Sequence, residues 1–203
     1  MPSYSSPNGV VWHYFEMLRR AVGRCHELQE GRQLRQEVAV SIILAVTTVE
    51  AFLNVFFRML VEESGYRQHK ATVLKDLSPP FLSLEKKWKT WPREILGEPI
   101  DSASGPGKRF VELKNRRNRL MHFTGSHDTI ELPDNVEIEG LPRTDVLDEL
   151  TLDDAVDALN TAEWAIAAVL KAGGVPEDLV PKNLHFWTGR TPTYQGHGPS
   201  SSQ

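Results

Sequence analysis

The sequence predicts an all-α protein: a helical bundle of four to five main helices with a small β-hairpin insertion near 129–140. Three observations carry this. Apolar residues recur at three- and four-residue steps through most of the chain. One segment, Val38 to Phe57, is apolar nearly throughout, as expected of a helix at the centre of a bundle. Alternation of apolar and charged residues is confined to Thr129–Leu132 and Asn135–Ile138, with Pro133-Asp134 between them. With 203 residues, 40% hydrophobic and 25% charged, the chain is long enough to bury one core. The expected organisation is a flexible tail over 1–8, one helical domain over 9–173, and an extended, largely disordered tail over 174–203.

In order, Val11, Tyr14, Phe15, Leu18, Ala21, Val22, Cys25 and Leu28 form the stripe of a first helix that ends near Gly31. Arg19, Arg20, Arg24 and Glu27 fall off that stripe, and His13 and His26 are read as exposed or locally bonded. Cys25, the single cysteine, excludes an internal disulfide framework and suggests a reducing compartment. The polar start, Met1–Asn8, shows no signal peptide, and a cytoplasmic location is expected. The second helix runs from about Leu34 to Ser64. Its apolar run is long enough to span a bilayer. Ser41, Thr47, Thr48, Glu50 and Asn54 interrupt it, and a central carboxylate costs about 2.5–3.5 kcal/mol on insertion. It is read as a core helix, with no membrane partner.

Glu50 and Asn54 are four apart and share a face. A carboxylate in apolar surroundings needs a partner, and Arg117 is the expected one. Such a pair serves either helix packing or the placing of Arg117 for chemistry. After a break over Gly65–Pro80, Ser83 caps a short helix through Trp91. Leu84, Trp88 and Trp91 form one face, and Lys86, Lys87, Lys89 and Arg93 cover the others. Tryptophan among basic residues suits either a core or stacking on nucleic acid. Gly105-Pro-Gly-Lys108 fails as a phosphate loop, because Ser102 stands in place of the first glycine and Arg109 in place of the hydroxyl residue.

The next helix carries Glu112-Leu-Lys-Asn-Arg-Arg-Asn-Arg-Leu-Met-His-Phe123. Net charge is −4, yet Lys108 to Arg119 holds six basic residues and one acid, while Asp128 to Glu163 holds twelve acids and one base. The acidic half is read as a solvated face; the basic helix is either that or a binding surface. Asn118 and His122 share a face, and Arg117 lies about 140° and roughly 7.5 Å from His122, within reach of a long guanidinium. Arg117 also falls on the apolar stripe of Phe110, Leu113, Leu120 and Met121, a local inconsistency of the kind that concentrates at functional sites. A fixed cation, an amide and an imidazole suit acid–base work on a phosphodiester. A last main helix follows Thr151, with Ala155, Leu159, Ala162, Ile166, Val169 and Leu170 buried and Gly173-Gly174 as its stop. No metal-ligand spacing is found, and neither metal nor cofactor is expected.

The segment Arg117-Asn118-x-x-x-His122 resembles the Arg-x4-6-His motif of the HEPN superfamily, and Val49-Glu50-Ala51-Phe52-Leu53-Asn54 resembles the second-helix pattern of several of its families. The resemblance implies a metal-independent endoribonuclease, active as a homodimer, in toxin–antitoxin or antiviral defence. His122 would be the general acid or base, Arg117 would stabilise the phosphorus oxygens, and Asn118 would orient the phosphate or His122. Glu50 and Asn54 would support them, and Lys114, Arg116 and Arg119 would hold the RNA backbone. The implied partners are RNA, a second copy and an antitoxin protein. Toxins of the family often carry Tyr two residues after the His; Thr124 stands there, a departure that bears on regulation by tyrosine modification and not on cleavage. The alternative is a non-catalytic HEPN-like bundle that binds a partner protein or a nucleotide.

Overall fold

A computed structural model describes residues 6–122, 127–132, 136–142 and 145–189. The fold is all-helical in its framework. Its elements are α1 (Gly9–Glu27), α2 (Arg32–Leu60), α3 (Lys70–Asp76), α4 (Leu84–Trp91), α5 (Gly105–His122), β1 (His127–Leu132), β2 (Val136–Pro142), α6 (Asp145–Asp148), α7 (Leu152–Ala172) and α8 (Val180–Thr188). β1 and β2 pair antiparallel; the turn of the hairpin expected near 129–140 lies outside the described residues.

α2 is the axis of the bundle. It is the longest helix, and α1, α7, α5, α3, α4 and α6 all pack against it. Val38, Ile42, Ala45, Val46, Val49, Phe52, Leu53 and Phe57 are fully buried on it. Its polar interruptions are satisfied within the helix: Ser41, Thr47 and Thr48 each donate to the carbonyl four residues back. α2 has the length and composition of a membrane-crossing helix, and half of its most apolar window is buried inside the protein.

The flanking helices answer to it. α1 presents Val11, Phe15, Leu18, Val22 and Cys25, and ends earlier than expected, at Glu27, because Leu28 is extended. Gly31, at φ 130°, allows the reversal into α2. α4 is capped by Ser83, whose hydroxyl accepts from the Lys86 amide. Its Trp88 and Trp91 are buried against Phe110 and Phe57, which settles their role as core and not as stacking platforms. α5 begins where Gly107 passes over the preceding loop: a Cβ there would lie 2.0 Å from the Asp101 carbonyl oxygen. α7 opens on a reciprocal cap between Thr151 and Asp154.

The segment after 174, expected to be extended, is helical through Thr188. Pro176 leads into a short turn, Glu177–Leu179, and then α8. The cause is apolar burial: Val180, Leu184 and Trp187 enter the core, with Trp187 edge-on to Phe52 at 5.0 Å. Asn8 donates to the Phe186 carbonyl at 2.7 Å, and Arg19 donates to that of Thr188 at 2.6 Å, so α8 is clasped to α1. Trp187→Ala should therefore lower unfolding stability by about 3 kcal/mol or more in urea titrations, whereas an undocked tail would leave it unchanged.

Candidate functional site

Arg117, Asn118 and His122 all lie on the second half of α5, and His122 is its last residue. Phe110, Leu113, Lys114 and Leu120 are buried and mark the inner side of the helix. Arg117, three residues from Lys114 and from Leu120, falls on that side and is half-buried, as is Asn118. The Nε of Arg117 is buried and has no hydrogen-bond partner among the described residues.

The expected ion pair between Arg117 and Glu50 is not formed. Glu50 is instead 3.7 Å from the ammonium of Lys87, which also donates to Asn54 Oδ1 at 2.9 Å and stands 5.6 Å from the centre of the Trp91 ring. Lys87 is 2% exposed. The reason is geometric. Leu84, Lys87, Trp88 and Trp91 are spaced i, i+3, i+4 and i+7, so Lys87 belongs to the inner face of α4 and not to its outer one. Its aliphatic stem packs with the tryptophans, and its charge meets the two polar groups of α2. That spacing was the signal which could have found Lys87.

Two of the three cations expected on an RNA backbone are committed elsewhere. Lys114, 7% exposed, donates to Glu85 at 2.5 Å. Arg116 donates to Asp154 at 2.5 Å. Arg119 is exposed and has no partner among the described residues. The Lys114 and Lys89 ammonium groups hold the Glu85 carboxyl down at about 2. At Asp154, burial pushes the carboxyl upward, but bonds from Arg116 and Thr151 outweigh it and leave the group below its ordinary value.

A cavity of about 480 Å³ opens beside these groups, between α5, α6 and α7. Arg109, Glu112, Arg116 and Arg119 of α5 line it together with Glu149, Asp154 and Asp157. Arg109 lies over the Trp164 ring at 4.7 Å and 3.8 Å from Asp157. Three guanidinium groups against four carboxylates give a polar cleft without excess positive charge, unlike a groove shaped for phosphate. His13 and His26 are exposed on α1. Among the described residues, no group of three or more His, Cys, Asp or Glu is placed to hold a metal ion.

Compared with known proteins, the chain matches no family model, no curated protein and no solved structure.

Two outcomes are expected. Lys87→Ala should cost about 2–3 kcal/mol of stability, because it strands Asn54 and Glu50; Arg117→Ala should cost less than about 1 kcal/mol, since no described partner is lost. Glu85 and Asp154 have folded-state values below their unfolded ones. The contribution of Glu85 is therefore complete above about pH 4.5 and fades as pH falls from there toward 2, and that of Asp154 is likewise lost as pH falls. Thermal melts across that range should fall less steeply for Lys114→Met than for the parent.

Proposed function

We propose that the chain is a metal-independent endoribonuclease of HEPN type, cytoplasmic and active as a homodimer. The observation that supports this best is Arg117: a guanidinium on the inner side of α5, half-buried, with its Nε unpartnered among the described residues. A cation so placed is costly unless a further group completes it, and a phosphoryl oxygen is such a group. Because Lys87 occupies Glu50 and Asn54, the Arg117 Nε finds no partner among the described residues. Glu50 and Asn54 then support the site at one remove, through α4.

In this mechanism His122 transfers the proton between the ribose 2′-hydroxyl and the leaving 5′-oxygen. Arg117 stabilises the charge that grows on the phosphorus oxygens, and Asn118 orients the phosphate. Of the cations flanking them, Arg119 is the one on hand for the RNA backbone; Lys114 and Arg116 anchor α5 to α4 and α7. A role in toxin–antitoxin or antiviral systems, with an antitoxin protein as partner, belongs to the same reading.

The second reading is a non-catalytic bundle that binds a partner protein or a nucleotide. What favours it is the charge balance of the cleft between α5 and α7, where carboxylates match the arginines. RNA cleavage with EDTA present separates the two. His122→Ala and Arg117→Ala, each folded by circular dichroism, should lower the rate by about 100-fold or more. A parent protein that leaves structured and unstructured RNAs intact would sink the enzyme reading.

A further inference from the structure

The cations of α5 are largely committed inside the chain, but a second basic stretch is not. Arg67 to Arg93 holds seven basic residues and two acids. Both acids are engaged: Asp76 accepts from the Trp91 indole at 3.0 Å, and Glu85 is held by Lys89 at 2.7 Å and Lys114 at 2.5 Å. Lys75, in the last turn of α3, and Lys86, in the first turn of α4, are exposed. With those carboxylates taken, neither lysine has an acidic partner among the described residues.

Phe81 lies between these two lysines in the chain. At 66% it is the most exposed large apolar side chain among the described residues. Pro79 and Pro80 stiffen the backbone ahead of it, and the Leu82 amide closes the turn on the Asp76 carbonyl at 2.9 Å. The ring is thus presented to solvent on a closed turn. It offers the aromatic face that Trp88 and Trp91, buried in the core, do not.

α4 sets this turn beside the candidate site. Trp88 packs on Phe110 at 4.5 Å, and Glu85 bonds Lys114. The two contacts follow in opposite order along the helices, so α4 runs antiparallel to α5. Going back from Glu85 therefore leads toward the end of α5 that carries Arg117 and His122. Phe81 is four residues before Glu85, and Arg117 is three after Lys114.

We propose that the turn between α3 and α4 binds single-stranded nucleic acid: an unpaired base stacks on Phe81, and Lys75 and Lys86 take the phosphates on either side of it. The strand then continues along α5 toward Arg117. Cations that track the backbone and an aromatic face that accepts any base are the combination by which proteins hold single strands. A duplex keeps its bases stacked on one another and leaves none for Phe81. The inference rests on the ribonuclease reading and adds its substrate class, unpaired RNA, and the surface that receives it.

The test keeps the two apart. A labelled deoxythymidine strand of about 15 nucleotides lacks the 2′-hydroxyl, so it reports binding without the chemistry. Fluorescence anisotropy should give a Kd of about 1–100 µM at low salt, tighter than for a duplex of the same length. Phe81→Ala should weaken binding about tenfold. Lys75→Gln and Lys86→Gln should each lower the slope of log affinity against log salt by about 0.7. All three side chains are exposed, so the helical circular dichroism of each variant should match the parent's. On RNA, Phe81→Ala should raise KM about tenfold with kcat retained. Binding through Phe81 without RNA cleavage sustains this surface and removes the enzyme; cleavage indifferent to Phe81→Ala does the reverse. A parent that ignores the strand, a duplex bound as tightly, or a Phe81→Ala variant that binds as the parent does overturns the proposal. So does a parent that binds phosphatidylglycerol vesicles in place of the strand.

Discussion

The need to cover α2 governs this molecule. A helix with so many apolar residues cannot stand in water, and each Val, Leu, Ile or Phe removed from solvent contributes about 1.5–3 kcal/mol. α1 and α7 cover two of its sides. α4 and α8 are short and have little internal stability of their own. Each is held by a tryptophan set against a phenylalanine of α2: Trp91 on Phe57, Trp187 on Phe52. Even the hydroxyl groups of α2 turn back on its own carbonyls, and its charged and amide groups meet neighbouring helices at Arg35, Glu37, Glu50 and Asn54.

The charges follow from that demand. In the two lysine pairs that join helices, Lys87 with Glu50 and Lys114 with Glu85, the ammonium lies inside and the carboxylate nearer solvent. Long aliphatic stems make this tolerable, since they extend the apolar core while the ammonium reaches its partner. The basic character of α5 is thus largely a set of fasteners to α4 and α7. A basic helix in an acidic protein invites a nucleic-acid reading, yet most of its charge is neutralised within the chain. What remains uncommitted among the described residues is narrow, chiefly Arg117 and Arg119.

The helical framework was legible because its signal is periodic and redundant: the stripe of α1, the apolar run of α2 and the Thr151 start of α7 each repeat over several turns. Boundaries were less so, as at Glu27, where an extended residue ends α1 without a strong sequence marker. α8 was obscured by the Pro, Gly and Ser around it, which mask the few apolar residues, Leu184 and Trp187 among them, that dock it. At the candidate site, the placement of Arg117 on the inner side of its helix was readable from spacing alone. Its partner was not, because pairing between helices depends on their relative rotation, and two cations competed for Glu50. Lys87 prevailed from a position that charge alone had assigned to solvent.

The clasp between α1 and α8 has a further bearing. Asn8 and Arg19 hold the carbonyls of Phe186 and Thr188, and Trp12 packs so closely on Gly189 that a Cβ there would sit 1.9 Å from the indole nitrogen. The first and last described segments are therefore neighbours at one pole of the bundle. A linker of a few residues would span them, which makes the chain suited to circular permutation, with new ends opened in an exposed loop elsewhere.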